Sequence, residues 1–113
     1  THQRGFSKTF NLKIIFLDME RKNTSIELYV IEQVKKRRTA LNIVPRTLSI
    51  RIGLEESFVG LVENPKNGTK YNFNHLNEIA KVLKCSVSDF FPVPHLPENC
   101  IAEYKILHPR PKK

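Results

Sequence analysis

The side chains that most often act as catalysts or metal ligands are few and widely separated in this sequence. The histidines are His2, His75, His95 and His108, and the cysteines are Cys85 and Cys100. No Ser/His/Asp arrangement, HExxH motif, glycine-rich phosphate loop or CxxC pair accompanies them. We therefore expect no enzyme, no metal site and no cofactor. Two reduced thiols in a cytoplasmic protein are favoured over a disulfide or a zinc site.

The charge balance is compatible with a polyanionic partner. The 113-residue chain has 19 Lys and Arg against 11 Asp and Glu, a formal charge of +8. Basic side chains that neutralise phosphates release condensed counterions. The charge is concentrated toward the ends, however, because residues 26–92 contribute only +3, the same as the much shorter segment 1–25. Charge alone thus gives weak support for binding by the central segment. No apolar run reaches the ~18 residues of a membrane span, and no membrane partner is expected.

The segment 45–63 has the pattern of two short helices that cross over a tight turn. Its apolar anchors are Leu48, Ile52, Leu54, Val59 and Val62. Ser49 is small enough to let the second helix approach, and Gly53 can adopt a positive φ at the turn. Two ordinary core helices with a coincidental glycine are the alternative. The agreement of successive positions favours a helix-turn-helix, with the second helix spanning about 55–63.

Signals for further helices lie on both sides of this segment. Thr24 and Glu27 have the spacing of a capping box, and Asn72 is a good N-cap. Ser86 and Asp89 repeat the capping pattern before the apolar SVSDFF segment. The apolar positions assigned to the first helix are Val30, Ile31, Val34 and Leu41, and those assigned to the fourth are Phe73, Leu76, Ile79, Ala80 and Leu83. We expect Phe90 to close the core.

Five short helices in about 65 residues predict an all-α fold. Residues 1–23 are assigned to an N-terminal extension, 24–92 to the helix-turn-helix domain and 93–113 to a Pro-rich basic tail. Met19 is the single Met, and we interpret it as a candidate start of the native chain. The PVPHLP segment is expected to end regular structure, so the residues after it are predicted to be a mobile tail.

Residues 40–91, which read ALNIVPRTLSIRIGLEESFVGLVENPKNGTKYNFNHLNEIAKVLKCSVSDFF, resemble a known family. Their IGL, VENPK, LNEIAKVL and SVSDFF blocks are similar, in the same order, to the XRE or lambda-repressor/Cro-type helix-turn-helix domain of bacterial and phage transcription regulators. The similarity covers about Val30 to Phe91, just over half of the chain. It implies a five-helix lambda-repressor-like domain that binds double-stranded operator DNA, usually as a homodimer. Helix 55–63 would lie in the major groove.

The resemblance also assigns DNA contacts to individual positions. The groove-facing candidates are Glu55, Glu56, Ser57, Gly60 and Leu61, and the phosphate-facing candidates are Pro45, Arg46, Lys66, Asn67, Thr69 and Lys70. Phosphate contacts set the register of a protein on DNA without reading its sequence. Arg38 matches a basic residue that the family often has on its first helix, with a surface charge or a partner of Glu63 as the alternatives. Phe58 is assigned to thymine methyl groups, to a partner surface or to a half-buried core position.

Two features depart from the family pattern. Val44 and Pro45 replace the usual Ser and Gln, so the second helix lacks a side-chain cap that is typically worth about 1 kcal/mol. The recognition helix has no Arg, Lys, Asn or Gln between positions 55 and 62, although those side chains make most bidentate base contacts. Two hypotheses follow. The chain is a regulator that reads DNA through few contacts and DNA shape, or it is a protein-interaction module or the antitoxin of a toxin–antitoxin pair.

Overall fold

The computed structural model describes residues 21–111, and every regular element in that range is a helix. In chain order the elements are α1 (Ser25–Ala40), α2 (Pro45–Arg51), α3 (Phe58–Glu63), α4 (Phe73–Leu83), a 3-10 helix (Val87–Phe90) and α5 (Cys100–Leu107). The prediction of an all-α fold is confirmed for this part of the chain. Met19 lies outside the described residues, and its assignment as a candidate start stays a prediction.

The ends of α1 follow from its sequence. Thr24 Oγ1 accepts the N–H of Glu27 at 3.4 Å, and Glu27 Oε1 accepts the N–H of Thr24 at 2.8 Å, which confirms the capping box. Beyond the helix, Asn42 adopts the left-handed conformation with φ of +59°. Leu41 was predicted to be buried, but it is 48% exposed. That prediction was wrong because Leu41 is the C-cap, where the chain already leaves the helical path.

One apolar core lies where α1, α2, α3, α4 and the 3-10 helix meet. Its buried members are Val30, Val34, Leu48, Val59, Leu76, Ile79, Ala80, Leu83 and Phe90. Phe90 is fully buried and closes the core, as predicted. Phe73 was also predicted to face the core, but it is 82% exposed. It is the first residue of α4, and side chains on a helix tilt toward its N-terminus, so this ring projects beyond the packed part of the helix.

The N-terminus of α4 has the cap that its sequence predicts. Asn72 Oδ1 accepts the N–H of His75 at 2.8 Å, and His75 Nδ1 accepts the N–H of Asn72 at 3.0 Å. The SVSDFF segment contains a single 3-10 turn, and the N–H of its N-cap residue, Ser86, donates to Asp89 Oδ2 at 2.9 Å. Both capping assignments therefore correspond to helix starts in the structure.

The C-terminal region differs from its prediction. Regular structure resumes after the PVPHLP segment, because Cys100–Leu107 forms α5, and Asn99 Oδ1 caps it by accepting the N–H of Ala102 at 3.0 Å. Glu103 of α5 is buried, and its carboxylate accepts the Ser25 N–H at 2.7 Å and the Ser25 hydroxyl at 2.6 Å. The expectation of a tail without regular structure was therefore wrong for this segment. The docking of α5 depends on a contact between residues 78 positions apart, which local sequence patterns do not reveal.

None of the helices in residues 21–111 is long and apolar enough to cross a bilayer.

Candidate nucleic-acid interface

Ser49 connects α2 to α3 through its hydroxyl group. The side chain is fully buried, its Oγ donates to the Pro45 carbonyl at 2.9 Å, and it accepts the N–H of Val59 at 2.9 Å. Val59 lies in the first turn of α3, where backbone N–H groups have no partner within their own helix. The sequence pattern predicted only that residue 49 is small. The structure adds that Ser49 satisfies a helix terminus that alanine or glycine would leave unpaired.

The turn between the two helices is formed around Gly53. This residue has a φ of +81°, and its N–H donates to the Ile50 carbonyl at 2.9 Å. The next N–H, from Leu54, returns to the Ser49 carbonyl at 3.0 Å. The prediction that Gly53 adopts a positive φ at this turn is therefore confirmed, and glycine does so without the steric cost of a Cβ.

The helix predicted to begin at Glu55 begins at Phe58 instead. Residues 55–57 form a turn in which the Phe58 N–H donates to the Glu55 carbonyl at 3.0 Å, three residues earlier. Ser57 occupies the N-cap position, and its side chain makes no capping hydrogen bond with the described residues. The predicted start was wrong because the tight turn continues to Ser57. Glu55, Glu56 and Ser57 therefore precede α3.

Arg38 and Glu63 form a buried ion pair, hereafter the inner pair, beneath the helix-turn-helix. Arg38 Nη2 and Nε lie 2.6 and 2.9 Å from the two carboxylate oxygens of Glu63, and both side chains are only 9% exposed. Arg38 Nη1 also donates to the Ile43 carbonyl at 2.9 Å. The guanidinium thus ties α1 to the end of α3 and to the loop before α2. Of the three roles considered for Arg38, that of a Glu63 partner is the one observed.

Arg46 and Glu56 form a second pair, the outer pair, on the surface of the same helices. Arg46 Nη2 and Nε lie 3.0 and 3.1 Å from Glu56 Oε2, and the side chains are 69% and 56% exposed. The pair places a positive charge beside one of the two adjacent carboxylates. It therefore reduces the repulsion that Glu56 would exert on a phosphate. It also occupies the guanidinium that was predicted to contact phosphate.

Three of the groove-facing candidates form an uncharged exposed surface on α3 and at its N-cap. Ser57, Gly60 and Leu61 are all exposed. A Cβ added to Gly60 would meet no described atom within 4 Å outside its own helix and neighbouring residues, so space around the chain does not account for this glycine. The backbone of α3 is therefore uncovered by any side chain of the described residues at this position.

Phe58 is half-buried, which agrees with one of the three roles predicted for it from the sequence. Its ring centroid lies 4.7 Å from that of His75 and 5.9 Å from that of Tyr71, in tilted arrangements typical of aromatic contacts. Burial raises the pKa of Tyr71 well above its ordinary value, and the negative charge of Glu63 adds to this effect. The Tyr71 hydroxyl therefore stays protonated and uncharged at neutral pH. The contacts of Phe58 with Tyr71 and His75 attach the start of α3 to the start of α4. His75 is itself half-buried in this aromatic cluster.

The loop between α3 and α4 contains the remaining candidates. Lys66 and Asn67 are exposed, Thr69 is half-buried, and the Thr69 hydroxyl donates to Asn67 Oδ1. The loop also contains Gly68, which has a φ of +83°. The structure thus brings Asn67 and Thr69 into direct contact at the exposed part of the loop.

Lys70 has an environment that the sequence did not suggest. Its ammonium group donates to both carboxylate oxygens of Glu27, at 2.8 and 2.9 Å, and lies 5.1 Å from the centre of the Tyr104 ring. Burial alone would raise the pKa of Glu27, but the bonds from Lys70 and Thr24 outweigh it and hold that pKa below its ordinary value. Lys70 therefore joins the loop to α1 and α5. No local signal at positions 27 or 104 could have identified this contact.

The described residues contain no group of three or more His, Cys, Asp or Glu side chains that could hold a metal ion. No protein-family model, curated protein or solved structure matches this chain. The resemblance to XRE-type domains therefore stays a prediction that rests on residues 30–91, and the site is defined by its own geometry.

Proposed function

We propose that this protein is a DNA-binding transcription regulator of the helix-turn-helix class, which inserts α3 and the preceding turn into the major groove. The observation that carries the proposal is the coupling of α2 and α3 by Ser49 below an exposed surface formed by Ser57, Gly60 and Leu61. A rigid pair of short helices with one uncovered face is the arrangement by which such proteins present a helix to DNA. The XRE-type resemblance of residues 30–91 supports the same assignment.

Affinity would come from backbone groups and basic side chains on both sides of α3. Arg46 lies near the start of α2, and Lys66, Asn67 and Thr69 lie in the loop that follows α3. An exposed ion pair contributes little to stability, so Arg46 can exchange Glu56 for a phosphate at small cost. Lys70 has a different role in this proposal, because its bonds to Glu27 hold the loop in place. A limited number of phosphate contacts predicts modest affinity with a clear dependence on salt.

Sequence reading would rely on few direct contacts. The Ser57 hydroxyl can donate to or accept from base edges, and Leu61 can contact thymine methyl groups. Gly60 would allow the α3 backbone to approach the groove floor or a phosphate. Much of the preference would then arise from the shape and deformability of the DNA. A homodimer would place two such helices about 34 Å apart, on half-sites one helical turn from each other.

A protein-interaction module or antitoxin is the second candidate, and a separate observation favours it. Val44, Ile50 and Leu61 are large apolar side chains that are exposed on or beside the helix-turn-helix. In the same region, the opposite charges of Arg46 and Glu56 compensate each other in the outer pair. Protein interfaces are depleted of charge at their centre. The two candidates therefore use the same surface and differ in the partner.

Fluorescence anisotropy with duplex DNA tests the proposal directly. The probes are the DNA upstream of the protein's own coding sequence and a duplex of scrambled sequence, each titrated at several salt concentrations. We expect tighter binding to the upstream probe and a linear loss of log affinity with log salt. An absence of binding to either probe at low salt would refute DNA binding and leave the interaction module.

Two variants separate phosphate contacts from sequence reading. Lys66→Ala should weaken binding to both probes and reduce the salt slope by about 1, whereas Ser57→Ala should change the preference between probes. Lys81→Ala is the matched control, because Lys81 lies on α4 and pairs with Glu78. An equal effect of Lys81→Ala and Lys66→Ala would show that net charge, rather than this loop, determines affinity.

A further inference from the structure

The loop between α3 and α4 contains an Asn–Gly pair in a chemically reactive setting. Asn67 is exposed and is followed by Gly68, whose φ of +83° places it in the left-handed region. Glycine has no side chain to shield its own amide nitrogen. The side-chain amide carbon of Asn67 and the backbone nitrogen of Gly68 are the two atoms that form a five-membered succinimide ring when asparagine deamidates.

The attacking atom in this reaction is the backbone nitrogen of Gly68. The backbone N–H of Gly68 donates to no carbonyl among residues 21–111, whereas the neighbouring N–H of Asn67 donates to the Asn64 carbonyl at 3.0 Å. An amide that is not engaged in a hydrogen bond loses no structural contact when it reacts. The loop therefore anchors the residue that carries the electrophile and leaves the attacking nitrogen free of such a bond.

The electrophile has a hydrogen-bond donor on its carbonyl oxygen. Thr69 Oγ1 donates to Asn67 Oδ1, the oxygen that becomes negatively charged when the Gly68 nitrogen adds to the amide carbon. A donor placed on a developing oxyanion lowers the barrier to addition. The Asn67–Thr69 contact therefore acts on the reacting carbonyl itself.

We propose that Asn67 is a site of non-enzymatic deamidation assisted by Thr69. Base removes the proton of the Gly68 N–H, the nitrogen adds to the Asn67 amide carbon, and the side-chain nitrogen leaves as ammonia after protonation. Water then adds to one carbonyl of the succinimide, and the bond from that carbon to the ring nitrogen breaks. The products are aspartate or isoaspartate, and the balance is one water consumed and one ammonia released, with no change of oxidation state.

The reaction would change the candidate interface in a defined way. A neutral amide becomes a carboxylate in the loop that contains Lys66, and isoaspartate also places an extra methylene in the backbone. This consequence rests on the proposed DNA-binding function, because a negative charge beside a phosphate opposes binding. The modification itself is independent of that function.

Other asparagines in the structure provide internal controls. Asn64 is exposed in the same loop, but Pro65 follows it and has no N–H to act as the nucleophile. Asn72 and Asn99 are N-caps whose Oδ1 atoms accept helix N–H groups, and they are followed by Phe73 and Cys100. Larger side chains after asparagine hinder the attack. Asn67 is therefore expected to react before all three.

Peptide mapping by mass spectrometry after incubation of the full chain tests the site. The folded protein is held at neutral and at mildly alkaline pH, and the carboxyl form of each asparagine-containing peptide is measured over time. We expect conversion at Asn67 with both aspartate and isoaspartate products, at a rate that rises with pH, and little at Asn64, Asn72 or Asn99. Unchanged Asn67 under conditions that convert it in the urea-unfolded chain would overturn the proposal.

Two variants test the assistance and its consequence. Thr69→Val removes the donor at similar volume and should slow conversion several-fold in a protein with unchanged circular dichroism. Equal rates in both proteins would overturn the role of Thr69. Asn67→Asp should lower affinity for duplex DNA relative to Asn67→Gln. If Asn67 converts but neither variant nor parent binds DNA, the proposed function fails and the modification site stands.

Discussion

The inner pair and the outer pair use the same two residue types in opposite environments. Arg38 and Glu63 are 9% exposed and make two short contacts, whereas Arg46 and Glu56 are 69% and 56% exposed. A buried charge that loses its partner keeps the cost of its lost hydration, but an exposed charge is screened by water and salt. The inner pair therefore determines where α3 lies, and the outer pair leaves both side chains able to change partner.

The two faces of the helix-turn-helix therefore differ in how far their polar groups are shielded from solvent. Below α3, the buried polar groups of Ser49 and Arg38 make hydrogen bonds to neighbouring helices and loops. On the opposite, exposed side, Gly60 and Leu61 carry no charge. The ion pair between Arg46 and Glu56 on that side is open to solvent. Stability should therefore respond strongly to changes on the inner face, and binding should respond to changes on the outer face.

The largest expected effect comes from breaking the inner pair. Arg38→Ala leaves the Glu63 carboxylate buried without its partner and should lower the free energy of unfolding by about 3–5 kcal/mol. Urea denaturation followed by circular dichroism measures this change. The matched variant is Arg46→Ala, for which we expect a loss below about 1 kcal/mol. Similar losses in the two variants would show that the inner and outer pairs are energetically equivalent.

The next effect concerns the buried carboxylate that joins α5 to α1. Burial alone would raise the pKa of Glu103, but the bonds from Ser25 and the charge of Arg21 outweigh it, so the net pKa lies below its ordinary value. A carboxyl group with a lowered folded-state pKa stabilises the fold above its unfolded pKa, near 4.5. That stabilisation is lost as the pH falls through the lower folded value.

Glu103→Gln should therefore cost about 1.5–3 kcal/mol at neutral pH and flatten the loss of stability in acid. Thermal melts between neutral pH and pH 3 measure both quantities. Glu78→Gln is the control, because Glu78 also has a lowered pKa, caused by hydrogen bonds from Asn77 and Lys81, but lies on the surface. An acid profile that is unchanged in Glu103→Gln would contradict the role assigned to this carboxylate.

Ser49 provides a test of the coupling between α2 and α3. Ser49→Ala leaves the buried N–H of Val59 without an acceptor and should lower the free energy of unfolding by about 1–3 kcal/mol. Ser57→Ala is the comparison, since Ser57 is exposed and makes no capping bond with the described residues, and it should change stability little. If Ser49→Ala were as mild as Ser57→Ala, Ser49 would act only through its size.

The smallest effect is a gain of stability on the outer face. Gly60→Ala should raise the free energy of unfolding by about 0.5–1 kcal/mol, because alanine favours a helix and the added methyl group meets open space. Gly53→Ala should do the reverse, since its φ is +81°. If α3 approaches DNA closely at Gly60, the first variant will also bind duplex DNA less tightly. Unchanged DNA affinity would contradict that close approach.

Local chemistry accounts for what sequence reasoning predicted correctly. The capping box at Thr24 and Glu27, the N-cap at Asn72 and the positive φ of Gly53 each depend on contacts within a few residues. The fully buried position of Phe90 was predicted because an apolar ring after a helical repeat has few alternatives to the core. Such features depend on the spacing of residues along the chain, which can be read directly from the sequence.

Long-range contacts account for the errors and omissions. The docking of α5 was missed because it depends on Glu103 reaching Ser25, and the ion pair between Lys70 and Glu27 was missed because it spans 43 positions. Phe73 fits the apolar repeat of α4, yet it lies beyond the packed part of that helix. Arg46 and Glu56 pair because the turn folds α2 back against the start of α3. None of these partners follows from residue type.

Local sequence is enough to specify that residues 24–90 form short helices, with side-chain caps at Thr24 and Asn72, and that a glycine turn separates α2 from α3. Hydrogen bonds within one turn and backbone sterics at Gly53 are sufficient for that outcome. The positions of the charges, whether buried, exposed or paired with another helix, follow from the tertiary fold and not from local sequence. That distribution of charges depends on desolvation and on distances between remote segments, and it leaves the exposed surface of α3 at Gly60 and Leu61 uncharged.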